Sequence, residues 1–200
     1  MEGWTGENEW RGYIPFNQMP KLVNPPEGFI ASANQKISDN GYQHYISTLW
    51  EPPSRILRIR ELLQSSEKFS ADDFKQFQQD MYSPFAKEVT RQIVGAFRDS
   101  SARTPEISEA LNYLRNWDYR FTQADIATTI FNATFVHLVK NIFEDEMGEG
   151  VFRDFVFFGA IPYRVTSQLL ASDTSAWFDN VRTPEKIGRA SCRERVYSSV

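Results

Sequence analysis

Residues 28–34 read Gly28-Phe29-Ile30-Ala31-Ser32-Ala33-Asn34, and the fold class turns on them. Phe29, Ala31 and Ala33 fall on one face of an extended chain and Ile30, Ser32 and Asn34 on the other, the period of a β-strand. The small side chains at Ala31, Ser32 and Ala33 imply that something packs close against them. Asn34 then ends the strand ahead of the turn-forming Ser38-Asp39-Asn40-Gly41. Upstream, Gly3, Gly6, Gly12, Pro15, Pro20, Pro25 and Pro26 cut the chain into short apolar pieces, as turns between short strands do. Residues 1–50 are therefore expected to be rich in strand.

After Pro53 the period becomes helical. Ile56, Ile59 and Leu63 share one face of a helix that runs into Gln64. Ser70-Ala71-Asp72-Asp73 is a capping-box start. Phe74, Phe77, Met81, Phe85, Val89, Ile93 and Phe97 then step by three and four, a buried stripe that Pro84 should kink or split. Thr104-Pro105 places a cap and a first-turn proline before Ile107, Leu111 and Leu114. Thr122-Gln123-Ala124-Asp125 opens another helix, expected to reach about Phe143, with shorter helices over 150–158 and 163–171. The expected class is α+β: a strand-rich piece over 1–50 and a helical region over 51–186.

With 41% apolar and 14% aromatic residues the chain can bury a sizeable core. Its net charge of −4 argues against nucleic acid, whose binders present a basic face to phosphate. The two most apolar stretches are interrupted, one by His137, Lys140 and Asn141, the other by Arg153, Asp154 and Arg164, so neither crosses a bilayer cheaply. Met1 is followed by neither a basic start nor an apolar run, so no signal peptide is read at this end. The lone Cys192 lies in Ile187-Gly188-Arg189-Ala190-Ser191-Cys192-Arg193-Glu194-Arg195-Val196, which resembles one reading frame of a common DNA-sequencing adapter. Residues 187–200 are set aside as a non-native tail, which removes thiol chemistry and leaves the rest of the chain still more acidic.

No complete catalytic constellation stands out. His44 and His137 are far apart and lack metal-ligand spacing, and there is no nucleophile elbow, phosphate loop or dinucleotide fingerprint. On the residues alone Asn34 caps a strand-end turn, Asp39 forms a turn, and Arg55 is an exposed charge near a helix start. A cation is mildly misplaced at that positive end, which implies an acidic or carbonyl partner elsewhere. A helical interaction module without catalysis, carried by the Phe74–Phe97 stripe, is the rival reading.

A resemblance changes the weighting. Asn24-Pro25-Pro26-Glu27-Gly28-Phe29-Ile30-Ala31-Ser32-Ala33-Asn34 resembles a segment of the penicillin acylase family, as does Trp10-Arg11-Gly12-Tyr13-Ile14-Pro15-Phe16 upstream. Arg55 through Leu63, Gln78-Gln79-Asp80 with Ser83, Trp117-Asp118, and the run from Trp177 to Glu185 are similar to later family landmarks in the same order. The resemblance implies part of the αββα sandwich of an N-terminal-nucleophile amidohydrolase, which cleaves linear non-peptide amides through an acyl-enzyme. It further implies Asn34 as the oxyanion-hole side chain and Arg55 as a residue orienting the active-site network. The nucleophile is expected far upstream of Met1, so this piece is expected to be inactive alone. Implied partners are a small-molecule amide substrate and the small chain of a processed precursor, with no nucleic acid and no membrane, in the periplasm or outside the cell. A structural calcium ion is also implied, held mostly by residues outside this sequence, with Asp39 the nearest local acid.

Overall fold

The computed structural model describes residues 3–7, 9–97, 104–172, 175–178 and 181. Among them lie six α-helices: α1 (Ser54–Leu63), α2 (Ala71–Gln78), α3 (Pro84–Ala96), α4 (Pro105–Arg115), α5 (Ile126–Val156) and α6 (Ile161–Leu170), with short 3-10 turns at Phe16–Gln18 and Ala176–Phe178. The expected tail at 187–200 and its Cys192 lie outside the described residues, as does most of the Asp179–Glu185 landmark.

The α+β expectation is overturned. The described residues form no strand, and their only β-type pairing is an isolated antiparallel bridge between Tyr82 and Arg120. The architecture is mainly helical, with no αββα sandwich. Alternation in 28–34 marks an extended chain, but a strand exists only where a neighbouring backbone completes the ladder. None does here, and three turns of handedness interrupt the region, with φ of 47° at Asn24, 77° at Gly28 and 61° at Asn34. The Gly28 amide instead closes a turn on the Pro25 carbonyl at 3.0 Å.

The helices begin where local chemistry dictates. Ser70 and Asp73 form a reciprocal capping box at α2. Phe69, just before the cap, meets Phe74 edge-on with 6.0 Å between ring centroids, the staple that fixes the entry of the chain. Pro84 splits the apolar stripe: α2 ends at Gln78, and α3 starts at Pro84 with the Ser83 hydroxyl accepting from the Ala86 amide. Thr104 caps α4 in the same way. The α5 start falls three residues later than expected, because Asp125 and not Thr122 takes the cap position and accepts from the Ala127 amide at 2.9 Å. That helix runs on past Phe143 to Val156, broken only at Gly148, whose φ of 71° is outside the helical range.

The core lies between α3, α4, α5 and α6. Val89, Ile93 and Phe97 meet Leu111, Leu114, Leu138, Ile142 and Phe143, all essentially without solvent contact. Trp177 packs on Phe143 and Phe178 is fully buried, so the chain after α6 closes one side of this core. The rear half of the aromatic stripe is therefore core, while Phe74 and Met81 remain exposed. In front of α1 the picture inverts: Trp4, Trp10, Tyr13 and Phe16 are each more than 80% exposed.

Leu138→Ala should cost about 3 kcal/mol through lost burial and the cavity left behind. Val136→Ala, on the exposed face of the same helix, should stay within about 0.5 kcal/mol. Urea unfolding measures both, and equal costs would mean that α5 does not bury the face described.

Candidate functional site

The site assembles where the irregular N-terminal segment meets the first turn of α1. Asn34 sits in the left-handed region at φ 61°, which asparagine tolerates better than most residues. Its neighbours hold it there. The Ala33 amide donates to Gln35 Oε1 at 2.7 Å, and the Glu51 amide donates to the Asn34 carbonyl at 3.0 Å. Ala33 is buried beneath the turn while Asn34 itself is exposed.

Arg55, the second residue of α1, reaches across to this turn. Its Nη2 donates to Asn34 Oδ1 at 2.8 Å and to the Ala33 carbonyl at 3.0 Å, with Glu51 Oε2 at 3.8 Å. These are the carbonyl and acidic partners that its place at a helix start calls for. The consequence for Asn34 is geometric. A guanidinium only donates, so the amide must offer it the oxygen, and the Nδ2 donor then faces away from Arg55. The structure thus brings together the two residues singled out in the sequence and fixes which end of the Asn34 amide is presented.

The third candidate stays apart. Asp39 Oδ1 accepts from the Gly41 amide at 3.0 Å, closing an Asx turn. It borders a shallow cleft with Ser32, Lys36 and Tyr42. Among the described residues no three potential metal-ligating side chains gather anywhere. A calcium ion at Asp39 would need further oxygen donors beyond this carboxylate. His44 Nε2 lies 2.7 Å from Gln18 Oε1, and His137 is exposed on α5, so neither joins the site.

One turn along α1 is a network whose parts stand in the sequence without an evident role. Arg58 meets the nearly buried Asp80 through two nitrogens, at 2.6 and 3.2 Å, and lies over the Tyr82 ring at 4.6 Å. Arg120 adds a longer contact to Asp80 at 3.4 Å, and Glu61 pairs with Arg58 at 2.8 Å. Hydrogen bonds from Arg58 hold the Asp80 carboxyl below the usual carboxylate range against the opposing effect of burial. The same pairing raises Arg58 above the ordinary guanidinium value. Backbone bonds from Ser83 to the Tyr119 carbonyl and from Phe121 to the Met81 carbonyl lock the two loops around this pair. Asp80 and Ser83 of the family-like motif therefore have structural duties: one anchors α1, the other caps α3. The Arg58–Asp80 pair and Arg55 line one small hollow between α1 and the α2–α3 loop.

The sequence profile of the penicillin amidase family matches residues 1–200, and the chain belongs to that family. It is 33% identical over 133 residues to penicillin acylase 2 proenzyme of Pseudomonas sp. (strain SE83), an alignment taking in 66% of this chain and 17% of that protein. It is 26% identical over 200 residues to acyl-homoserine lactone acylase QuiP of Pseudomonas aeruginosa, covering 92% of this chain and 23% of the relative. Penicillin G acylase of Escherichia coli matches at 33% identity over 69 residues, 34% of this chain and 8% of that one. The chain therefore spans less than a quarter of the length of each of these curated relatives. No helix among the described residues is long and apolar enough to cross a membrane.

Removing the Asp80 charge with Asp80→Asn should cost about 2 kcal/mol at neutral pH, because it leaves the half-closed Arg58 with only the exposed Glu61 as its anion. Asp80 ionises more readily folded than unfolded, so its stabilisation is complete above the unfolded value of about 3.9 and fades as pH falls through the lower folded value. Urea midpoints of parent and variant should converge below about pH 4. An offset that persists unchanged to acid pH would show that the loss does not come from the Asp80 charge.

Proposed function

We propose that this chain is the oxyanion-binding part of an acylase that hydrolyses linear non-peptide amides through an acyl-enzyme. The observation that carries the reading is the Asn34 amide, turned by Arg55 so that its donor end faces outward. A neutral N–H donor aimed at the oxygen of a tetrahedral intermediate stabilises charge that exists only there, worth about 3 kcal/mol in a dry site. Membership of the penicillin amidase family supports the reaction class. The relatives are named as acylases, one of penicillin and one of acyl-homoserine lactones, and both names denote removal of an acyl group.

In this proposal the nucleophile is an N-terminal residue of a processed precursor, whose own α-amino group serves as base, so no histidine is required. It is supplied by chain outside these 200 residues, and so is the small chain that completes the enzyme. The exposed aromatic side chains from Trp4 to Phe16 are the surface such a neighbour would cover. Export to the periplasm or beyond belongs to the same reading. A helical interaction module is disfavoured, because Val89, Ile93 and Phe97 of its supposed contact stripe are buried in the chain's own core.

The 200-residue chain alone should release no amine from a chromogenic N-acyl amide. Within a processed precursor, Asn34→Ala should lower kcat by about 10²- to 10³-fold with a small change in KM. Asn34→Asp should be at least as damaging, since a carboxylate offers no donor and opposes the developing charge. Unchanged turnover in Asn34→Ala would sink the assignment.

A further inference from the structure

One cation outside the site reaches the backbone that supports it. Arg164 lies on α6, half-buried, and its Nη1 donates to the Thr48 carbonyl at 3.0 Å and the Trp50 carbonyl at 2.9 Å. The Trp50 carbonyl and the Glu51 N–H belong to a single peptide unit. Arg164 holds the oxygen of that unit, and its N–H donates to the Asn34 carbonyl at 3.0 Å. The guanidinium and the left-handed asparagine are thus joined through one amide.

We propose that Arg164 is a positioning residue for Asn34, acting through the Trp50–Glu51 peptide. Three physical reasons support this role. A cation on a peptide oxygen draws electron density from its nitrogen, so the Glu51 N–H becomes a stronger donor to Asn34. A non-glycine residue at positive φ persists only where its surroundings hold it, and the Glu51 bond is one of the few contacts that do. Arg164 is itself rigidly mounted, because α6 packs on both α3 and α5. The segment before α1 has no ladder of its own, so this clamp passes the rigidity of the helical core to the turn that carries Asn34. Arg55 fixes the end of the side chain; Arg164 fixes the backbone from which it springs. The kinetic consequence rests on the acylase reading, whereas the structural link does not.

The two are tested separately. In the 200-residue chain, Arg164→Ala should speed amide hydrogen exchange at Glu51 by about tenfold, the loss expected for one charge-assisted bond, and leave Leu138 in α5 unchanged. Arg164→Lys, which keeps a donor and a charge, should recover part of the protection and serves if the alanine variant does not fold. An unchanged Glu51 rate overturns the proposal, and so does an equal acceleration at Leu138, which would mean general loosening. In a processed precursor, Arg164→Ala should lower kcat about tenfold with KM nearly constant. The same change in an Asn34→Ala background should have no further effect, since the two act as one unit. Independent, multiplying losses overturn the role. If Asn34→Ala leaves turnover intact while Glu51 exchange responds as expected, the clamp stands and the acylase reading falls.

Discussion

Backbone groups before α1 have no ladder to satisfy them, yet several lie close against the helical body and must find partners there. Guanidinium groups meet that demand. Arg55 takes the Ala33 carbonyl and Arg164 takes those of Thr48 and Trp50. Arginine suits the task because it is long, always charged and carries several donors in a fixed plane. The candidate site sits where these bonds converge, so its geometry is inherited from helices that contribute no reacting atom.

The helical body can bear this because its own order is over-determined. α3 and α4 open on side-chain caps, α2 on a full capping box, and α5 on Asp125. A core of Leu, Ile, Val and Phe locks α3 to α6 against one another. α1, like α6, lacks a side-chain cap, and it buries only Ile56. Its anchor is electrostatic, the Arg58–Asp80 pair, with Asp80 in turn fixed between loops that pair through Tyr82 and Arg120. Since Arg55 rides on α1 one turn before Arg58, the ion pair sets where Arg55 stands.

Signals confined to neighbouring residues were legible in the sequence. Ser70 with Asp73 and Thr104 before Pro105 depend on atoms within one helical turn, and both act as their spacing implies, whereas Ser83 stood only in a family-like motif and its cap on α3 comes from the structure. Residues 28–34 alternate without forming a strand, because alternation records an extended chain, whereas a strand also requires a partner that no local pattern contains. The Asn34–Arg55 meeting spans 21 residues and became visible only through likeness to a family. Arg164 lies 116 residues from Thr48, and in the sequence it showed only as a charge interrupting an apolar stretch. Asp80 gave a faint signal as part of a motif, but its partner Arg58 could not be named before α1 was seen beside the α2–α3 loop.

The Arg55 contacts explain why its nearest carboxylate is held at arm's length. Both Nη2 hydrogens are committed, one to Asn34 Oδ1 and one to the Ala33 carbonyl, so Glu51 at 3.8 Å interacts by charge alone. With Arg55 more than half exposed, such a contact is worth at most about 1 kcal/mol and leaves much of the positive charge unneutralised. That residual charge has two effects on the amide it holds. It withdraws electron density through the Asn34 carbonyl, which sharpens the Nδ2 donor, and it adds a favourable field for any anion that forms in front of that donor. A tight, bidentate pairing with Glu51 would cancel both. A lysine at position 55 would keep the charge but, being shorter and without a fixed donor plane, would not hold the two acceptors in the same geometry. Arg55 thus makes its hydrogen bonds to neutral oxygens, and its charge stays largely unpaired beside the Asn34 donor.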